Sequence, residues 1–275
     1  MEPTGDAEAE LTPIPPDALV VRRRFASHLS GQGIEIGPGH VPFPVPPTLS
    51  IRYVDRWEPT TNSSLFPELG ETPGFPEPDV IANLDVDRLT VFPEACQDFV
   101  IASHVLEHLA NPLAMLEEIH RVLRPGGLLV VLIPDRHKTF DRHRSPTPLT
   151  HLIEEYRGDV RVVDDAHIRD FLVGTRADVG GDRSEGPLQE YTPEEIDLHR
   201  RRSIHVHVWD VEEFGEVLDY AARELGLRWD VVDTMPPGSE GTYGDEFGWV
   251  FSKVDEDPGP TSRFRHLWKQ ATRTH

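Results

Sequence analysis

The chain has a single cysteine, Cys96, so no intrachain disulfide framework and no cysteine zinc cluster can form. That usage suits a reducing compartment, and a cytoplasmic location is expected. Basic charge is also scarce: 27 lysines and arginines face 48 acidic residues, a formal net charge of -21. Phosphate backbones are held by clustered cations, so nucleic acid is excluded as a general partner. Only Lys138, Lys253 and Lys269 are lysines. No apolar run approaches the roughly eighteen residues that a spanning helix needs, and no secretory apolar segment is evident, so no membrane partner is expected. With 275 residues the chain is long enough for one large α/β domain with an elaboration.

What is present centres on residues 33–46, GIEIGPGHVPFPVP. A short apolar run carries Glu35 and stops at Gly37-Pro38-Gly39. Glycines at a strand end leave room for a ligand to approach the backbone and tolerate positive φ. An ordinary doubly wound fold would start a long helix next. Pro42, Pro44, Pro46 and Pro47 forbid it, because each removes a backbone donor and pushes its predecessor out of the α region. A dinucleotide would need GxGxxG feeding straight into a helix, with the third glycine where Pro42 stands, so a nicotinamide cofactor is disfavoured.

Around this stretch the chain alternates strands and helices. A helix is expected from an Asp17 cap through Ser30, with Leu19, Val20, Phe25 and Leu29 apolar. Strands are expected at Gly33 to Ile36, Ser50 to Val54, around Val80-Ile81, and at Phe99 to Ala102. Residues 57–78 read as a surface excursion. Asn111-Pro112 caps and opens a helix whose apolar residues are Leu113, Leu116, Ile119, Val122 and Leu123. The uninterrupted run 128–133, LLVVLI, has the signature of a central parallel strand covered on both faces. The pattern resumes with HVHVWD at 205–210 as a strand, a helix from Val211 to Leu225, and an antiparallel pair at Leu227 to Val232 and Phe247 to Val254. Alternation of this kind predicts a parallel sheet with ligands at the carboxyl ends of its strands. Those ends carry Glu35 and the glycine turn, Asp55, Asp85, Ser103-His104 and Pro134-Asp135.

From Gly33 to Pro134 the chain resembles class I S-adenosylmethionine-dependent methyltransferases of the type 11 group, most specifically over 98–135, DFVIASHVLEHLANPLAMLEEIHRVLRPGGLLVVLIPD. The resemblance implies a Rossmann-like, mostly parallel seven-stranded sheet with helices on both faces, an antiparallel last strand and a lid insertion after strand five. With the residue pattern read above, the chain divides into a mobile leader (1–16), a cofactor-binding core (17–134), a lid or substrate insertion (135–204) where the pattern gives way to a long polar stretch, the rest of the sheet (205–254) and a tail (255–275). The resemblance also implies S-adenosylmethionine as cofactor and S-adenosylhomocysteine as product. Glu35, Gly37, Pro38 and Gly39 would line the methionine end, Asp55 the ribose, Asp85 and the Val86 amide the adenine, and Ser103 and His104 the reaction centre. Val41 departs from the family, standing where a third glycine often lies.

Methyl transfer is an in-line displacement, so the protein must align a nucleophile and, for a hydroxyl, remove its proton. Histidine is best matched to that role. His104, with Asp135, His137 and His143 just past strand five, are the candidate catalytic residues; His108, His151, His205, His207 and Asp141 are further titratable groups. If 205–210 is a strand, His205 and His207 share a face and could join His143, His151 or Asp141 around a divalent metal, although no metal ligand is assigned. Glu194, Glu195 and Arg200 to Arg202 read as a solvated face, with an arginine there as an alternative receptor for an anionic substrate. The expected function is methyl transfer to an oxygen or nitrogen of a sugar, natural product or related metabolite in biosynthesis. A non-catalytic partner protein of the same fold and a nicotinamide enzyme are the alternatives, and a homodimer stays open.

Overall fold

The computed structural model describes residues 19–69, 74–175 and 191–254. Its frame is a seven-stranded sheet in the order β3-β2-β1-β4-β5-β7-β6, formed by Gln32–Ile36 (β1), Ser50–Asp55 (β2), Val80–Ile81 (β3), Gln97–Ser103 (β4), Leu123–Pro134 (β5), Trp229–Met235 (β6) and Glu246–Lys253 (β7). β1 to β5 pair in parallel, while β7 inserts antiparallel between β5 and β6. The fold is therefore the Rossmann-like mixed sheet expected. Strand order reverses between β1 and β4, which opens the crevice where such sheets take ligands.

Both faces of the central strands are covered. Ile34, Ile36, Val100, Ala102, Leu129, Val131 and Ile133 pack with helices Pro112–Val122 (α3) and Val211–Glu224 (α7). Phe99, Ile101, Val130 and Leu132 face the other way, onto Val21, Phe25 and Ala26 of Val20–Ala26 (α1) and onto Phe43. The proline segment after β1 thus forms no helix; it delivers Phe43, which is buried, to the face that α1 also covers.

Local chemistry sets the helix ends. Asn111 caps α3 through Ala114 N–H at 3.0 Å, with Pro112 in the first turn. Asp210 and Glu213 form a reciprocal capping box on α7. α1 starts later than the sequence suggested, at Val20, and the expected Asp17 cap lies outside the described residues. The excursion after β2 contains a short helix, Pro59–Leu65 (α2). The insertion after β5 folds into Leu149–Arg157 (α4), Asp165–Gly174 (α5) and Pro193–Arg201 (α6) around a small core of Val163, Ile168, Ile196, Ile204 and Val206. Residues 205–210 are not a strand: a single parallel bridge, Asp135 to Trp209, ties them to the chain just past the carboxyl end of β5. Among the described residues no helix is long and apolar enough to cross a membrane.

Candidate active site

A cavity of about 730 Å³ opens at the carboxyl ends of β1, β2 and β4, within the range of small-molecule sites. Its floor is the glycine turn. Gly37 and Gly39 both have positive φ, +57° and +58°; a Cβ at Gly37 would sit 3.0 Å from Val105 Cγ2, and at Gly39 it would project into open space. The Gly39 position is thus a backbone surface left bare for a ligand.

Glu35 closes the end of β1. Its carboxylate accepts the Phe43 N–H at 2.9 and 3.1 Å, which holds the proline segment against the strand. Burial pushes its pKa up to about 8, against the opposing effects of that hydrogen bond and of Arg22. Asp55 ends β2 and accepts the Arg56 N–H at 2.6 Å; burial raises its pKa as well. Asp85 follows β3, accepts the Ala110 N–H at 2.8 Å and is raised by burial to about 6. Trp57 lines the cavity beside Asp55, and its buried Nε1 has no acceptor among the described residues. A bare glycine turn, a carboxylate at the β2 end, another after β3 and an orphaned indole N–H form a donor and acceptor set that fits a neutral-faced nucleoside with a cationic amino acid end.

Of the sequence-predicted residues, Glu35, Gly37, Pro38, Gly39, Asp55, Asp85, Ser103 and His104 line this one cavity. Val86 does not. Its side chain is exposed and its N–H donates to the Asn83 carbonyl at 3.0 Å, so the wall there is Asn83, Leu84 and Asp85. Asp135, His137 and His143 are also absent from the lining. The Asp135 carboxylate is turned back to cap the His137 N–H at 2.9 Å, and the His137 ring lies 3.4 Å from Asp210 at the start of α7. His143 sits beside Arg142, 3.2 Å away. The turn after β5 carries these groups away from the crevice.

His104 is in the wall, with its ring tied to Glu246. Its φ is +54°, uncommon for a residue with a Cβ, and its Nε2 donates to Glu246 Oε2 at 2.7 Å. Burial opposes charge on the ring, yet the Glu246 bond and the nearby Glu107 carboxylate outweigh it, so its pKa is raised. Glu246 also pairs with Arg22 at 2.6 Å; burial opposes its charge, but His104 and Arg22 draw its pKa down to about 2. This buried Arg22–Glu246–His104 chain joins residues far apart in sequence and left no sequence signal.

The sequence offered Asp141 as one possible neighbour of His205 in a metal site, but gave no sign that His108 joins them. Phe140, Arg201, Arg202, Ser203 and His205 bring the insertion into the cavity wall. His205 Nδ1 donates to Asp141 Oδ2 at 2.6 Å, and Asp141 also accepts from Arg144 at 2.8 Å. Burial would raise Asp141, but the His205 and Arg144 bonds hold it below the usual carboxylate range. His108 lies edge-on to His205, ring centroids 4.8 Å apart, and donates from Nδ1 to the Ile204 carbonyl at 3.0 Å; burial lowers its pKa and keeps it neutral. His207 turns away from His205 into a different cluster, with His151 and His167. The shared face expected of a strand is lost because the segment is not one.

Residues 66–131 match the methyltransferase domain family. No curated protein matches the chain. Solved structures share the fold at a distance. A Thermotoga maritima S-adenosylmethionine-dependent methyltransferase, described as a possible histamine N-methyltransferase, is 16% identical, with 86% of this chain and 90% of that one covered and a TM-score of 0.44. A Methanosarcina mazei methyltransferase of the same cofactor class is 17% identical (82% and 93% covered, TM-score 0.40). A Rhodobacter sphaeroides protein provisionally described as a Zn-dependent alcohol dehydrogenase is 11% identical (82% and 84% covered, TM-score 0.46). These likenesses are too distant to carry an argument about chemistry.

Proposed function

We propose that this chain, with its methyltransferase-domain segment, is an S-adenosylmethionine-dependent methyltransferase acting on an oxygen or nitrogen of a small molecule. The observation that carries the reading is the gathering of Glu35, Gly37, Gly39, Asp55, Asp85 and His104 around one cavity at the switch point of the sheet. When bound, the cofactor supplies a methyl group activated on a sulfonium centre. Asp55, with a carboxylate at the end of β2, is placed to accept from two hydroxyls of a ribose. Asp85 and Leu84 form the wall for a base, and the glycine turn with Glu35 receives an amino acid end. His205 is the preferred general base. Its Nδ1–H is committed to Asp141, which fixes the tautomer, leaves Nε2 as the acceptor and stabilises the imidazolium formed when a proton is taken.

The test is calorimetry with the cofactor and its demethylated product, followed by turnover on a panel of hydroxylated and amino-bearing small molecules. Asp55→Ala is expected to weaken cofactor binding by about 1–3 kcal/mol, the range for a lost charged hydrogen-bond partner. His205→Gln is expected to keep cofactor affinity and lose most turnover, on the order of 10²- to 10⁴-fold. A folded wild-type protein that binds neither ligand would refute the reading.

A further inference from the structure

Outside the cavity, the insertion gathers a second group of titratable side chains. His151 and Glu155 stand one turn apart on α4, His167 lies in the first turn of α5, and His207 comes from the segment returning to the sheet. The side chains of Glu155 and His207 are 7% and 0% exposed. One ring nitrogen from each histidine and a Glu155 oxygen all fall within 4.8 Å of one another.

The spacing among them is informative. His151 Nε2 is 2.9 Å from His167 Nε2, and Glu155 Oε1 is 3.1 and 3.2 Å from those two nitrogens. Glu155 Oε2 lies 3.4 Å from His207 Nε2. Among the described residues both buried Glu155 oxygens lack a well-aligned hydrogen-bond donor, although imidazole nitrogens stand within 3.4 Å of them. A buried carboxylate and three imidazoles packed this closely, with His151 and His167 also within hydrogen-bond distance of each other, converge on a common centre. Ligands held at about 2.0–2.1 Å from a tetrahedral ion would be separated by roughly 3.3 Å, close to the spacings among His151, His167 and Glu155 Oε1, while His207 stands at 3.4 Å from the other Glu155 oxygen. Three imidazole nitrogens and one carboxylate form a donor set that suits zinc.

The surroundings fix the ligands as a metal site requires. Asp164 accepts from His167 Nδ1 at 2.8 Å, which leaves Nε2 as the lone-pair side. The His207 N–H donates to the Glu107 carbonyl at 3.0 Å, and Asn111 Nδ2 donates to the Glu155 carbonyl at 3.1 Å. Both anchors belong to the connection between β4 and α3 that also carries His104 and His108. We propose that His151, Glu155, His167 and His207 form a closed four-ligand site for a zinc-class divalent cation. The ion staples α4, α5 and the returning segment to the wall of the cavity. The small apolar core of the insertion gives a reason for such a staple.

The full-length protein, stripped with chelator and shown to be folded by circular dichroism, is titrated with Co(II) and then with Zn(II). One equivalent of Co(II) is expected to give the intense visible absorption of tetrahedral cobalt, bleached by Zn(II), and Zn(II) is expected to raise the melting temperature. His151→Ala, at a half-exposed ligand, and Glu155→Gln are expected to lose the band. Asp164→Asn keeps the helix cap but weakens the acceptor for His167, so Zn(II) affinity should fall about 10- to 100-fold. His205→Ala should keep the band. A folded wild-type protein without the band overturns the proposal. So does a band that survives both ligand substitutions, or one that disappears with His205→Ala alone, which would place the ion beside Glu107 and His108.

Discussion

Glu35 is a carboxylate with very little water around it. With a pKa of about 8 it carries its proton at neutral pH, the Phe43 hydrogen bond and Arg22 offsetting only part of the effect of burial. A ligand with an ammonium group placed there would favour the ionised form and drive the proton off. Cofactor binding near neutrality is therefore expected to release about one proton, and affinity should rise with pH up to about 8 and then level. Calorimetry in buffers of different ionisation enthalpy measures the release directly; binding that exchanges no proton would move the amino acid end away from Glu35. Glu35 and Asp55 were legible in the sequence because each closes a short strand and a strand end is where a side chain meets the crevice. The His205–Asp141 pair was legible only as one of several groupings around a possible metal, since its members stand 64 positions apart and neither sits at a strand end. His137 and His143 were misleading for a related reason: sequence shows that they follow β5 but not which way the chain turns afterwards.

At the scale of elements, proline and glycine were the most reliable guides. The proline run after β1 forbade a helix, and none forms; what sequence could not show is that Phe43 would pin that segment to Glu35 and share a face of the sheet with α1. The alternation in HVHVWD has the period of a strand, yet here it sends successive histidines into two polar clusters. Gly248 in β7 is a clearer case of structure explaining sequence. It pairs with Leu132 of β5, and a Cβ there would fall 2.3 Å from the Val131 carbonyl oxygen and 2.4 Å from Leu132 Cδ2. The obstacle includes backbone, so it cannot swing aside. Gly248→Ala is expected to destabilise the protein by about 1–3 kcal/mol through overpacking. Urea unfolding followed by circular dichroism checks it, and an unchanged midpoint would mean that β5 and β7 are less closely paired than described.

Taken as a whole, the molecule combines a formal charge of -21 with several buried ionisable groups whose pKa values move in opposite directions. Glu246, drawn down to about 2, stabilises the fold at all pH values above its unfolded value of 4.5 and loses that contribution only as pH falls toward 2. Glu35 works the other way: its folded pKa of about 8 lies above 4.5, so its contribution is complete below 4.5 and is lost as pH rises toward 8. His104, raised by Glu246 and Glu107 in spite of burial, likewise loses its contribution as pH rises past its folded value. His108 is lowered by burial and opposes this trend only below the histidine value of 6.5, where the unfolded chain takes up the proton first. Above that value the shifts of Glu35 and His104 run in one direction, and growing negative charge adds self-repulsion. The ligand-free protein should therefore melt at progressively lower temperature between about pH 6.5 and about pH 8, and added salt should recover part of the loss by screening. A melting temperature that is flat or rising over that interval would count against the buried, protonated Glu35. Saturating cofactor should flatten the slope, because a ligand that has already removed the proton from Glu35 leaves the folded protein with one less to lose.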